Sequence, residues 1–481
     1  MSNDDTVSGG KTVQKTQKKK ISNPHPYIVM FLLLIIAAIA SIFVSSGEYT
    51  RVVNDAGITV IDPNSFTFVE HPPFDAVKLI TAFPRGFSEA SSVIILCFMF
   101  GGAFGIIKAA GLIQVGVGAL ANKFKTRGVI IIPIVFTVFA LLGSFIGGVE
   151  LCLIYIPILM PLFFALGFDS MTTVGMALFS TIAGFTAALT NPFTIGIPHE
   201  IGGLPMYSGL GYRAITMLVI IPTGCFFLAR YAGKVKKNPE LSLMYHEDLE
   251  RRKEISASSD NTELRATKRH ALAGLSAMLV FLFLVVGIIT QGWGTIHMAG
   301  FFLLLGLIPG LVAGLTLDEI AAGLAQGFSD ILVGAMVCGI ARGISVVLTD
   351  AKVIDTIIYE LAKIVTILPS QLSAVGMIIV TTLFNGIITS GSGKAVIAMP
   401  IMFPLADFAG VTRQTAVLAY QIGDGITNVF WPTSGYFMAA LAIGKVPYTK
   451  YVKFAWPLLL VWTLEGVVLV LIAHAIRWGP F

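Results

Sequence analysis

Long apolar runs separated by short polar joints make up almost the whole chain. They fall at 27–44, 88–107, 128–166, 170–197, 212–232, 270–290, 297–316, 328–348, 371–408, 412–444 and 453–475. About 20 apolar residues rising ~1.5 Å each span a ~30 Å hydrocarbon core, so the pattern predicts an all-α polytopic membrane protein. Tyr27–Val44 follows a basic flank as a signal peptide would, but its length and its counterpart later in the chain predict a retained helix. Two stretches, Gly111–Lys125 and Ala351–Val365, are polar on one side and precede very long apolar blocks. They read as helices lying along the membrane surface.

Self-comparison reveals a tandem duplication. Gly86-Phe-Ser-Glu89 recurs as Gly327-Phe-Ser-Asp330, an offset of 241, and Pro157-Ile-x-x-Pro161-Leu162 recurs as Pro400-Ile-x-x-Pro404-Leu405, an offset of 243. Gly167, Thr172 and Val174 meet Gly410, Thr415 and Val417, giving seven identities in the eighteen positions 157–174. Self-similarity at a fixed offset marks repeated units. The same offset sets Tyr27 against His270. After that first span the first half has a polar stretch, Ser45–Phe74, whereas the second half has the extra apolar segment 297–316. One additional crossing turns the second copy upside down, and inverted repeats are a common construction of secondary transporters.

Composition sharpens the class. Charged residues make up 12% of the chain, against about 25% in soluble domains, which excludes a water-soluble enzyme. The net charge of +5 does not point to nucleic acid. Lys11, Lys15, Lys18, Lys19 and Lys20 precede the first span, and nine Lys/Arg lie between Lys234 and Arg269. By the positive-inside rule these segments are cytoplasmic, together with Lys123, Lys125, Arg127, Lys445, Lys450 and Lys453. The acid-leaning Glu48, Asp55, Asp62 and Glu70 are then outside. The expected organisation is a basic, disordered cytoplasmic tail (1–26), a first repeat (27–233), a cytoplasmic linker (234–269) and a second, inverted repeat (270–481). Cys97, Cys152, Cys225 and Cys338 lie singly in apolar stretches, so neither disulfides nor a zinc site is supported. No cofactor or metal is indicated beyond a coupling sodium ion or proton.

Two apolar blocks are too long for one crossing. Block 128–166 is interrupted by Gly143-Ser-Phe-Ile-Gly-Gly-Val-Glu150 and block 371–408 by Thr389-Ser-Gly-Ser-Gly-Lys394. Glycine and serine runs are poor helix material, so each block is expected to be a re-entrant hairpin. Non-helical backbone survives at membrane depth only inside protein or beside water, where its free N–H and C=O groups bind solutes. The following helices are expected to be broken, at Thr190-Asn-Pro-Phe-Thr194 within 170–197 and from Gly423-Asp-Gly-Ile-Thr-Asn428 to Pro432-Thr433 within 412–444. Proline removes a donor there, while Asn and Thr add oxygens suited to a small cation.

Charges inside spans each cost roughly 2.5–3.5 kcal/mol at a helix centre and need a reason. Asp424 either holds a proton, cation or substrate ammonium, or caps the helix break. Lys394 either meets a substrate carboxylate or pairs with Asp424 or Glu150. Glu150 is a candidate for a cationic group. Arg342 and Glu465 read as scaffold partners, Glu89 and Asp330 as capping carboxylates, Trp431 as packing, and His199-Glu200 as part of an outer loop.

The repeated Pro-Ile-x-x-Pro-Leu, the Ser390-Gly-Ser-Gly-Lys394 tip and Gln421-Ile-Gly-Asp-Gly-Ile-Thr-Asn428 resemble the C4-dicarboxylate anaerobic carrier-like family, and within it the branch of YfcC-type basic amino acid antiporters. The overall layout is similar to the ion-transporter superfamily, which includes divalent anion/sodium symporters and aminobenzoyl-glutamate transporters. The resemblance runs from Pro24 over nearly the whole chain and is most specific at 385–445. It implies a bacterial inner-membrane homodimer working by an elevator motion. In the symporter branch Ser-Asn-Thr tips bind substrate carboxylate and sodium; the first tip here departs from that, with Gly147 and Gly148 beside Glu150.

Taken together, the residues predict one central site between the repeats. A substrate carboxylate meets N–H groups and hydroxyls at Ser144, Gly147, Ser390, Gly391 and Ser392, with Lys394 assisting. An ammonium, guanidinium or coupling cation faces Asp424, Glu150 and the oxygens of Asn191, Thr194, Thr427, Asn428 and Thr433. Ser144, Asn191, Ser390, Asp424 and Asn428 are the cation-coupling candidates. A lysine against two acids favours an arginine- or ornithine-type amino acid, possibly by exchange, over the alternative, a sodium- or proton-coupled C4-dicarboxylate or short-carboxylate carrier. More distant alternatives are a non-transporting sensor, a passive channel and an intramembrane hydrolase using Ser392 with His474. Ile387–Lys394 is not a phosphate-binding loop: Ile388 stands where its first glycine is required and Ala395 follows the lysine.

Overall fold

The computed structural model describes residues 26–53, 59–73, 75–113, 115–116, 128–259, 267–291 and 293–479. The first half comprises α1 (Pro26–Phe43), strands β1–β4 (Gly47–Glu48, Arg51–Val53, Thr59–Ile61, Thr67–Phe68), α2 (Ala76–Glu89), α3 (Ser91–Ala109), α4 (Ile131–Ile146), α5 (Leu151–Ala165), α6 (Ser170–Thr186), α7 (Ile197–Gly202) and α8 (Leu210–Lys237). After α9 (Tyr245–Ser259) come α10 (Lys268–Gln291), α11 (Thr295–Ala313), α12 (Leu317–Asp350), α13 (Ile354–Ile367), α14 (Ser370–Asn385), α15 (Gly391–Phe408), α16 (Arg413–Thr427), α17 (Gly435–Ile443) and α18 (Tyr448–Ala475). Among the described residues, α3, α8, α11, α12 and α18 are long and apolar enough to cross a membrane. Large apolar side chains stay exposed along α1 (Ile28, Leu32, Ile35, Ile39), α10 (Leu272, Leu279, Phe283) and α18 (Leu460, Leu464, Val468). Such patches are costly in water and at home in lipid.

Three sequence expectations change. The chain is not all-α: β-branched residues in the polar stretch after α1 pair β1 with β4 and β2 with β3, both antiparallel. Asp355 of α13 holds this segment by accepting from the Tyr49 N–H at 3.0 Å and from the Arg51 guanidinium, so α13 is packed against the strands. Secondly, the linker contains an unanticipated helix, α9. The Arg252 guanidinium of α9 donates to the carbonyls of Phe164 and Phe168, Arg251 donates to those of Gly444 and Lys445, and Asp248 accepts from the Ser170 N–H. The linker helix thus straps corners from both halves. Thirdly, His199 is not in an outer loop but within α7 and fully buried. The tail 1–25 and most of the expected surface helix Gly111–Lys125 lie outside the described residues.

The repeated residues recur at equivalent corners. α5 and α15, each with the proline pair inside, end at Gly167 (φ 87°) and Gly410 (φ 69°), left-handed conformations that glycine adopts without penalty. The next residue closes each turn: Phe168 N–H to the Phe163 carbonyl and Val411 N–H to the Ala406 carbonyl, both 2.8 Å. Asp169 and Thr412 then cap α6 and α16 by accepting from the backbone N–H groups of Thr172 and Thr415.

Two groups of helices result. In one, α12 packs on α1, α2 and α3, with α11 behind α3. Backbones touch there: a Cβ on Gly105 would stand 2.0 Å from the Gly323 carbonyl, one on Gly327 2.0 Å from that of Gly101, and one on Gly86 2.5 Å from that of Gly339. Gly101-x-x-x-Gly105 and Gly323-x-x-x-Gly327 are thus a small-residue interface that permits this approach. In the other group α6 and α16 form the centre. Every residue of α6 is buried, as is α16 from Gln414 to Ile426. The helices flanking each tip, α4 with α5 and α14 with α15, pack on the broken helix that follows them.

Candidate functional site

Each interruption has a local cause. α4 ends at Gly147 in the left-handed conformation (φ 69°). α6 ends at Thr186, and Asn191 starts the next helical piece by accepting from the Phe193 N–H at 2.8 Å, with Pro192 following where no donor is needed. α14 gives way at Gly386, and Ser390 caps α15 by accepting from the Gly393 N–H. α16 stops at Thr427, and Pro432 stands before α17.

The four interruptions meet. Ser144 accepts from the Leu189 N–H at 3.0 Å, and a Cβ on Gly147 would lie 2.3 Å from Asn191 Oδ1, so the first tip abuts the first helix break. A Cβ on Gly391 would lie 3.0 Å from Thr194 Cγ2 and 3.1 Å from Asp424 Oδ2. The second tip therefore touches the first broken helix and the second together. Gly425 in turn sits against Thr186, where a Cβ would meet its Oγ1 at 2.2 Å.

An ion pair lies at this junction. Lys394 Nζ pairs with Asp424 Oδ1, both side chains fully buried, and donates to Asn385 Oδ1 at 2.7 Å. Asn385 donates in turn to the Asp424 carbonyl (2.9 Å) and Thr427 Oγ1 (3.0 Å), while Tyr420 donates its hydroxyl proton to the Gly391 carbonyl (2.5 Å). Beyond its ion pair the Asp424 carboxylate accepts no hydrogen bond among the described residues. Buried near it, and without partners among the described residues, are Asn191 Nδ2, Asn428 Oδ1 and the hydroxyls of Thr186 and Thr194. Unpartnered buried polar atoms are rare because each forfeits its hydration. Their grouping at the helix breaks marks a place arranged for a ligand.

Of the predicted residues, Ser144, Gly147, Asn191, Thr194, Ser390, Gly391, Ser392, Lys394, Asp424, Thr427 and Asn428 belong to these breaks. Thr433 links the second helix break to the second tip, donating to the Gly386 carbonyl at 2.8 Å, and Trp431 donates to the Thr382 carbonyl. Glu150 is half-buried and, among the described residues, makes no ion pair; its neighbourhood is that of Cys97, Cys152 and Tyr436. Glu465 accepts from Thr223 at 2.6 Å, and Asp330 from Gln326 at 2.7 Å. Sequence reasoning missed Asn385, Tyr420 and the buried Arg213, which donates to Gln421 Oε1 at 2.6 Å and lies 3.1 Å from His199 Nε2. Arg213 had a signal, a charge in an apolar run; Asn385 and Tyr420 had none beyond composition. Among the described residues no group of His, Cys, Asp and Glu is placed to hold a metal ion.

Comparison with known proteins places this chain in a family. A family model described as C4-dicarboxylate anaerobic carrier, DcuC, matches residues 24–475. YfcC of Escherichia coli (strain K12), provisionally described as a basic amino acid antiporter, is 30% identical, covering 93% of this chain and 96% of its own. An uncharacterized protein of Haemophilus influenzae (strain ATCC 51907 / DSM 11121 / KW20 / Rd) is 28% identical, covering 85% and 81% respectively. Two solved structures align over most of the chain. The Alcanivorax borkumensis YdaH transporter has 16% identity and a TM-score of 0.42, with 95% of this chain and 100% of that one covered. Neisseria gonorrhoeae MtrF, described with a class of antimetabolite efflux pumps, has 17% identity and a TM-score of 0.43, with 96% and 97% covered. The matched span and the identity to YfcC make this chain a member of the C4-dicarboxylate anaerobic carrier family, a membrane transporter and not an enzyme.

Proposed function

We propose that the chain is a secondary-active carrier that exchanges a small amino acid, of arginine or ornithine type, across the bacterial inner membrane, with its N-terminus in the cytoplasm. The observation that carries this reading is the buried Lys394–Asp424 pair at the junction of both tips and both helix breaks. Lys394 acts as a tethered cation that satisfies Asp424 when the site is empty. A substrate ammonium or guanidinium, or a coupling sodium ion or proton, takes its place. The freed N–H groups at the start of α15 and the hydroxyls of Ser390, Ser392 and Ser144 then receive the carboxylate, since a helix N-terminus favours an anion. Asn191, Thr194 and Asn428 supply the remaining polar contacts.

A buried acid at the centre favours a substrate carrying positive charge over a C4 dianion, which would face Asp424 with like charge. The description of YfcC as a basic amino acid antiporter agrees with this choice. The tips with α6 and α16 form the moving body of an elevator, the α12 group forms the static one, and the carrier works as a homodimer.

The test is counterflow in proteoliposomes of the purified chain, with arginine, ornithine, lysine, succinate and fumarate, with and without sodium. Saturable exchange of arginine or ornithine, abolished by Asp424→Asn in protein that still purifies as a folded species, is the expected result. Exchange of succinate alone would overturn the amino acid assignment, and flux that never saturates would overturn the carrier.

A further inference from the structure

An open cavity of about 570 Å³ lies beside the buried site, between the strand segment, α12, α13 and the second tip, with Ser390 and Gly393 in its lining. A space of this size admits a small organic solute. Three ion pairs border it: Glu48 with Lys352 (3.0 Å), Arg51 with Asp355 (2.5 Å) and Glu89 with Arg342 (2.9 Å). The Arg51 pair is closed, because its fork engages both oxygens of Asp355. The Arg342 pair is open. Only Nε contacts Glu89 Oε2, so both Nη groups and Glu89 Oε1 remain without a partner among the described residues, on side chains 40% and 43% exposed. A single-contact pair this exposed contributes little to stability, so a scaffold role does not account for it. What the pair presents is an unspent guanidinium fork, suited to bidentate carboxylate binding, next to a spare carboxylate oxygen. The backbones that carry the two side chains lie against each other, because Gly86 of α2 packs on the α12 backbone at Gly339 and Gly343.

We propose that Glu89 and Arg342 form a docking station for the head of an α-amino acid, with its carboxylate on the Arg342 Nη groups and its ammonium on Glu89. From there the substrate passes to the tip at Ser390–Lys394. The inference rests on the carrier reading above and adds a second, earlier binding step.

The test uses the purified full-length chain and equilibrium binding of labelled arginine and of agmatine, which keeps the guanidinium and amine but lacks the carboxylate. The wild type binds two arginines and one agmatine per chain. Arg342→Gln brings arginine down to one, leaving agmatine binding and the melting temperature unchanged, and Arg342→Lys, with charge but no fork, weakens the second arginine at least tenfold. The proposal is overturned if Arg342→Gln leaves arginine stoichiometry and affinity as they were, or lowers arginine and agmatine alike. Failure of the carrier reading is separate, appearing as absent counterflow in protein that still binds arginine at Arg342.

Discussion

The buried Lys394–Asp424 pair offers the sharpest test of the site. Both side chains have no exposure, and Lys394 also makes the 2.7 Å bond to Asn385 and lies 6.0 Å from the centre of the Tyr420 ring. Replacing one partner leaves the other charged and unsolvated, which costs about 3–5 kcal/mol, whereas replacing both with neutral groups of similar volume is often close to neutral. At 1.4 kcal/mol per factor of ten, Lys394→Met alone lowers the folding equilibrium constant by roughly a thousandfold. Asp424→Asn alone costs somewhat less, because its amide oxygen still accepts from the lysine. The double variant recovers to within about 1–2 kcal/mol of the wild type, an expected coupling of about 5 kcal/mol. Reversible unfolding in detergent, read by tryptophan fluorescence for all four proteins, completes the cycle, and counterflow on the same preparations reports the loss of transport. Two nearly silent single variants, or a double variant as damaged as the sum of the singles, would refute the reasoning. The pair would then not be a buried, mutually dependent charge couple.

Other outcomes follow from close contacts. Gly184→Ala would place a Cβ 1.8 Å from the Ala140 carbonyl, where α4 crosses α6, whereas Gly211→Ala meets nothing within 4 Å; overpacking costs about 1–3 kcal/mol or more, so thermal melts should fall for the first and hold for the second. Gly327→Ala, with its Cβ 2.0 Å from the Gly101 carbonyl, is expected to lower the melting temperature by pushing α3 from α12. Tyr420→Phe frees the Gly391 carbonyl, at a cost of about 1 kcal/mol, and faster hydrogen exchange at 390–393 is the check. Arg252→Ala removes the bonds from α9 to Phe164 and Phe168 and is expected to raise exchange across 245–252 while α6 stays protected.

Much of this architecture could be read without coordinates, because period and punctuation carry it. The repeated Pro-Ile-x-x-Pro-Leu and the glycines ten residues beyond its start mark real corners, since only certain residues tolerate a left-handed turn after an apolar helix. The helix breaks were legible for the same reason: Gly143–Glu150 and Thr389–Lys394 cannot remain regular at that length. What stayed hidden depends on contacts between distant segments. Nothing local in Asn385 says that it holds Lys394, and nothing in Glu89 or Arg342 says that they share a cavity. The strands after α1 were missed because they are two or three residues long and draw their support from Asp355, some 300 positions away. The linker helix was missed because it is polar all round and is held by carbonyls at the ends of other helices.

The internal neutralisation of Asp424 by Lys394 has an electrical consequence. Moving one elementary charge through the bilayer field is worth about 2.3 kcal/mol per 100 mV. On the elevator motion proposed above, lysine and aspartate travel together, so the vacant pair carries no net charge and the membrane voltage does no work on moving it. A swap of two solutes of equal valence inside the same pocket is likewise voltage-blind, so current recorded during turnover counts the difference in charge between what enters and what leaves.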